Sequence, residues 1–98
     1  MYNPEVFFIT QDEDVLILIE YHSGTAFIHH EVYKWGKKAL KKIDEGFYKA
    51  INIVKSKGFD ELWSYFEPHQ THLLKFCERY GMSVMSTSSE EILVMKEL

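Results

Sequence analysis

The sequence predicts an α/β fold: a mixed, mostly antiparallel sheet with two main helices, in the order β-β-β-α-β-α-β-β. Three observations predict it. Short apolar runs rich in branched and aromatic residues fill the first third of the chain, separated by turn signals. From Leu40 to Val54 the apolar residues instead recur at spacings of three and four, as on a helix with one buried face. Phe59 to Met82, FDELWSYFEPHQTHLLKFCERYGM, then reads as a short strand, a proline break, a helix and a glycine stop.

The elements follow in order. Glu5 to Thr10 is a short β-favouring run, closed by the acidic turn Gln11-Asp12-Glu13-Asp14. Val15 to Tyr21 is a second apolar run, ended by Ser23-Gly24. Thr25 to Tyr33 is a third strand. Its alternation puts Phe27, His29, Glu31 and Tyr33 on one face and Ala26, Ile28, His30 and Val32 on the other. Short turns between these strands predict an antiparallel meander. The helix that follows buries Leu40, Ile43, Phe47, Ala50, Ile51 and Val54. Lys41, Lys42, Glu45, Lys49, Asn52 and Lys55 fall mainly on its other side. Asp44 and Glu45 suit a first turn, where the helix dipole favours acids, and Gly58 suits the stop. Gly46 inside the pattern costs about 1 kcal/mol relative to alanine. Either the helix starts near Asp44, or Gly46 marks a close approach. Glu61 to Phe66 alternates Leu62, Ser64 and Phe66 against Trp63 and Tyr65, the latter pair expected to pack on the preceding helix. His69 to Arg79 carries the stripe Leu73, Leu74, Phe76, Cys77 and Tyr80 up to Gly81. Ser83 to Thr87 and Ile92 to Lys96 form a closing hairpin.

Ninety-eight residues, 46% hydrophobic and 15% aromatic, are enough for one domain with a substantial core. No apolar run approaches the roughly 20 residues of a membrane span, and MYNPEVFF lacks the basic start of a secretory signal. The lone Cys77 forms no internal disulfide, so a reducing, cytoplasmic setting is expected. A net charge of −4 argues against a general nucleic-acid binder. Lys34, Lys37, Lys38, Lys41 and Lys42 form the one basic run, read either as a solvated face or as a seat for phosphates or an acidic partner. The five histidines show no convergent spacing for a metal, and no metal site is expected.

Phe76-Cys77-Glu78-Arg79-Tyr80-Gly81-Met82, with its flanking strand and hairpin, resembles the signature at the end of the Gcn5-related N-acetyltransferases, the GNAT superfamily. Val54-Lys55-Ser56-Lys57-Gly58-Phe59 resembles the exit of that family's central helix. The resemblance covers roughly Val15 to Leu98. It implies a single GNAT-like domain without the usual N-terminal helices, similar to compact phage-type versions.

The resemblance also implies a site. Acetyl-CoA is expected between the third strand and the central helix, along Val32, Tyr33, Gly36, Lys41, Lys42 and Gly46, with Gln70 and His72 lining the groove. Small residues there let backbone N–H groups reach the pyrophosphate at a helix N-terminus. Glu31 and His29 are the expected bases, because acetyl transfer needs a neutral amine. Cys77, at the position of the family's usual tyrosine, or Tyr80 is the expected acid, although a cysteine on a helix stripe is more often core. The loop Lys34 to Gly46 fits no register of the family's Arg/Gln-x-x-Gly-x-Gly/Ala motif. Two functions follow: an acyl-CoA-dependent N-acetyltransferase acting on an amine, or a non-catalytic module of the same fold that binds a protein or forms a homodimer.

Overall fold

A computed structural model describes residues 5–98, apart from the side chain of Leu73. The start of MYNPEVFF and the place of Leu73 in the second helix's stripe therefore lie outside the described residues. Strands β1 (Glu5–Gln11), β2 (Val15–His22) and β3 (Thr25–Val32) form the predicted antiparallel meander. Helix α1 (Lys37–Ser56) crosses to β4 (Glu61–Phe66), which runs parallel to β3. Helix α2 (Thr71–Arg79) leads to the hairpin β5 (Ser83–Thr87) and β6 (Ile92–Glu97). The six strands make one sheet in the order β1-β2-β3-β4-β6-β5, with β6 inserted between β4 and β5.

The core follows from the alternation. Val15, Ile17 and Ile19 of β2 pair with Val32, His30 and Ile28 of β3, so these side chains share one face. Leu62, Ser64 and Phe66 of β4 and Val94 of β6 are buried with that layer. Ala39, Ile43, Phe47, Ala50 and Val54 of α1, Cys77 of α2 and Tyr80 just past its end are buried with it. Tyr80 stacks on Phe47 at 4.5 Å between ring centroids, locking the two helices together. Both helices end as the sequence predicts, at a glycine. At the end of α2, Gly81 takes φ 84°, its N–H reaches the Glu78 carbonyl at 3.0 Å, and the Met82 N–H reaches Cys77 at 2.9 Å.

Three expectations change. First, α1 begins at Lys37, about two turns before Asp44, and Leu40 is 41% exposed while Ala39 takes the buried position. Lysine, alanine and leucine all favour helix, but this lysine-rich turn carries too little apolar periodicity to announce itself. Second, of the two readings of Gly46 the close approach holds, and its expected place in the cofactor loop does not: it lies inside α1 and faces the sheet. A Cβ there would come within 2.6 Å of Ile17 Cδ1, so the glycine lets α1 approach β2 closely. Third, Trp63 and Tyr65 do not pack on α1. That place belongs to Leu62, Ser64 and Phe66, and Tyr65 meets Phe27 edge-on at 5.8 Å on the opposite face of the sheet.

Candidate functional site

The central parallel pair opens as it runs toward the C-terminal ends of its strands. β3 and β4 share a single register pair, Phe27 with Trp63. Just beyond it the Ser64 hydroxyl donates to the Ile28 carbonyl at 2.8 Å, a side chain standing in where the ladder stops. Past that point a cleft of about 400 Å³ opens, lined by His29, His30, Glu31, Tyr65, Phe66, Glu67, Gln70, Glu90 and Glu91. A second groove of about 200 Å³, lined by Val32, Trp35, His69, Gln70 and His72, lies beside it and shares Gln70. Gln70 is held by its own turn: its Oε1 accepts the Glu67 N–H at 2.9 Å.

The end of β3 presents its polar residues on both faces. On the outer face His29 Nε2 stands 4.0 Å from Glu31 Oε1, and the Tyr33 hydroxyl donates to Glu31 Oε2 at 2.9 Å. That bond to a carboxylate raises the Tyr33 phenol above its ordinary value. On the inner face His30 Nε2 is buried and has no hydrogen-bond partner among the described residues. Burial, then the neighbouring His29, holds its imidazole down to about 4, so it is neutral at physiological pH.

The entrance to α1 is cationic. Gly36 precedes the helix, no side chain caps it, and its first turn holds no acidic residue. The Leu40 N–H bonds to the Gly36 carbonyl at 3.0 Å, which leaves the N–H groups of Lys37, Lys38 and Ala39 at the helix start without an intrahelical partner. Lys37, Lys38 and Lys41 are exposed around it. Asp44 and Glu45 sit about 10 Å along the helix axis from Lys37, and Glu45 Oε1 reaches back to Lys41 Nζ at 3.9 Å. Trp35 stacks on Phe76 of α2 at 6.0 Å and leans on His72 at 5.6 Å, so the loop before α1 closes one side of the smaller groove.

The expected site residues separate into two groups. Glu31, His29, Val32, Gln70 and His72 line the two adjoining clefts, with Tyr33 bonded to Glu31 and Gly36 and Lys41 near the helix entrance. Four others are engaged elsewhere. Gly46 is covered by Ile17 and has no free backbone to offer a phosphate. Lys42 Nζ is held by Asp12 at 2.7 Å and Asp14 at 2.8 Å, which raises its pKa, while Lys42 holds Asp12 down to about 2. The Tyr80 hydroxyl donates to Asp44 Oδ1 at 2.7 Å, and burial and this bond raise its pKa. Cys77 is 4% exposed on a cavity of about 10 Å³, and burial pushes its thiol up to about 12.

Trp35, Tyr65, Glu67, Glu90 and Glu91 are cleft residues that the sequence did not single out as a site. Tyr65 carried a signal, its place opposite the buried face of β4. Glu90 and Glu91 sit in a hairpin turn, and nothing local shows that this turn returns to the end of β3.

No protein-family model matches the sequence, and no curated protein matches it. Among solved structures, the fold is similar to that of the acetyltransferase from Agrobacterium tumefaciens str. C58, with a TM-score of 0.70 over 97% of this chain at 12% identity. The fold is GNAT-like. This chain spans 61% of the length of that acetyltransferase.

Proposed function

We propose that this protein is an acyl-CoA-dependent N-acetyltransferase that transfers acetyl to an amine. The observation that carries the reading is the open β3–β4 pair, whose cleft holds the His29–Glu31 pair and shares Gln70 with the smaller groove at Trp35, just before the uncapped, lysine-ringed start of α1. The α1 start suits the acetyl-CoA pyrophosphate, through free N–H groups and the charge of Lys37, Lys38 and Lys41. The pantetheine arm would run past Val32, Trp35 and Gln70 into the splay. Strand edges freed by the splay offer backbone donors to the developing oxyanion.

In the transfer, the neutral amine nitrogen forms a bond to the thioester carbonyl carbon. The C–S bond breaks and CoA leaves as the thiolate. The amine's proton passes to Glu31 or His29, directly or through water, and the thiolate takes up a proton. Cys77 is poorly suited to supply that proton. Burial holds its thiol up near 12, above an ordinary thiol, so passing its proton to the CoA thiolate is uphill. Tyr80, committed to Asp44, is no better placed. Solvent in the cleft is the proposed donor.

Calorimetric titration with acetyl-CoA tests the reading, with CoA release in the presence of amines as the second readout. The charge reversals Lys37→Glu, Lys38→Glu and Lys41→Glu, combined, are expected to weaken binding by about tenfold or more. A second reading, a non-catalytic dimerising module, is favoured by the edge strand β1, where Val6, Phe7 and Phe8 are 40%, 45% and 53% exposed. Light scattering separates a dimer from a monomer, and absence of acetyl-CoA binding together with a dimer mass would favour the second reading.

A further inference from the structure

Helix α2 has an inner and an outer side. Cys77 turns into the core, and Tyr80 follows it just past the helix end. His72, Lys75, Phe76 and Arg79 recur at spacings of three and four, so they form one stripe on the outer side. These four line a groove of about 250 Å³, which shares His72 with the groove of about 200 Å³ beside Trp35. Together the two reach the size of a small-ligand site, about 300–1,000 Å³. The α2 groove shares no lining residue with the β3–β4 cleft.

The stripe joins rings to charge. Trp35, from the loop before α1, lies stacked on Phe76 with ring planes 12° apart, and it also meets His72. Phe76 is half-buried, whereas Trp35 stays 47% exposed, so three rings form a platform where the grooves meet and part of the indole is open. Lys75 and Arg79 are exposed, one turn apart, and neither has a carboxylate partner among the described residues. The lysines that do pair with carboxylates, Lys41 and Lys42, lie on α1. Glu78, the one carboxylate of α2, does not line the groove. In a chain of net charge −4, two cations are thus left beside one aromatic-walled groove.

That combination selects a ligand class. A guanidinium matches a phosphate with two parallel hydrogen bonds, and a lysine adds a point charge. An aromatic face takes a planar base by stacking. Lys75 stands about 5 Å and Arg79 about 10 Å along the helix axis from His72, so ring and cation are spaced as a base and a phosphate joined by one sugar. We propose that this groove binds a nucleoside phosphate, with its base against Trp35 and His72 and a phosphate at Lys75 and Arg79. A free nucleotide and the phosphorylated adenosine of a coenzyme A share this chemistry. Binding rests on the groove alone, and only the coenzyme as its source rests on the acetyltransferase reading.

Calorimetry on the full chain tests it, with adenosine 3′,5′-bisphosphate, adenosine and inorganic phosphate as probes and acetyl-CoA titrated separately. The bisphosphate is expected to bind about tenfold or more tighter than either fragment. The Trp63→Phe variant leaves Trp35 as the one tryptophan, and its emission should be quenched as the bisphosphate saturates. The double variant Lys75→Gln/Arg79→Gln, checked for folding by circular dichroism, is expected to weaken the bisphosphate about tenfold and leave adenosine unchanged. The Trp35→Leu variant, checked in the same way, is expected to weaken the bisphosphate and adenosine alike, by about fivefold or more. Raising salt from about 0.05 to about 0.5 M should weaken the bisphosphate and not adenosine. Equal affinity for the bisphosphate and inorganic phosphate, unchanged binding in the double variant, or no change in Trp35 emission would overturn the proposal. Two results uphold it and separate the sources. Competition between the bisphosphate and acetyl-CoA, with weaker acetyl-CoA binding in the double variant, assigns the groove to the coenzyme; simultaneous binding assigns it to a free nucleotide. If the bisphosphate binds in the expected pattern and acetyl-CoA does not bind, the groove stands and acetyl transfer falls. If acetyl-CoA binds equally to the double variant and the bisphosphate does not bind, the enzyme reading stands and this one falls.

Discussion

Replacing Ser64 by alanine tests the device that opens the sheet. Ser64 is 3% exposed, and its hydroxyl is the side-chain donor to the Ile28 carbonyl where the β3–β4 ladder ends. The Ser64→Ala variant removes that donor and leaves the carbonyl facing the splay. An unsatisfied buried acceptor costs about 1–3 kcal/mol. The neighbouring cavity of about 10 Å³ is close to the smallest space that holds a water, so relief by solvent is small. The expected loss is therefore about 1–2 kcal/mol, or roughly 4–16 °C in Tm for a domain of this size. Urea unfolding is the assay, with the slope unchanged and the midpoint lowered. The Ser64→Val variant, which adds a methyl group to the same packed place, is expected to lose more. A loss below about 0.5 kcal/mol for the alanine variant would mean that the hydroxyl does not hold the strands at the start of the cleft.

Four further outcomes are expected. Cys77, buried with its thiol near 12, should react with a thiol reagent at pH 8 only after unfolding; rapid stoichiometric labelling of the native protein would contradict its place in the core. His30 has a folded pKa near 4, below its ordinary 6.5, so the unfolded state binds the proton first and stability should fall as pH drops from about 6.5 to about 4. The His30→Leu variant should lack that slope, read from urea midpoints across the range. Asp12 is depressed to about 2 from 3.8, so its pairing with Lys42 stabilises above about pH 4 and is lost as pH falls toward 2; Lys42→Met should lower Tm at pH 7 and converge with the unaltered protein near pH 2. The Gly46→Val variant, whose branched side chain meets Ile17 where a Cβ alone would come to 2.6 Å, should destabilise by about 1–3 kcal/mol, read by calorimetry.

The fold was legible because its strongest signals are local. Alternation in β2, β3 and β4, the spacing of Ile43, Phe47, Ala50 and Val54, and Gly58 and Gly81 at the helix ends each report on a few neighbouring residues. The start of α1 was not, because Lys37 to Lys42 is helical by propensity and by its connection to β3, with little apolar patterning. The polar end of β3 was readable from alternation, which placed His29 and Glu31 on one face. The rest of the cleft depends on long-range closure. Glu90 and Glu91 reach it only because β6 inserts between β4 and β5, which brings the hairpin turn back to the open end of β3. Gly46 and Lys42 looked like loop residues in sequence. Their partners, Ile17 and the Asp12–Asp14 turn, lie about 30 residues away.

The open β3–β4 pair and the cationic start of α1 are together proposed to hold an acyl-CoA. Titration of the full chain with acetyl-CoA by calorimetry tests it most directly, beside the triple charge reversal at Lys37, Lys38 and Lys41. Saturable one-to-one binding, a rise in Tm with ligand concentration, and a loss of about tenfold or more in the variant are expected. No heat and no shift in Tm at millimolar acetyl-CoA, or equal binding by the variant, would contradict it.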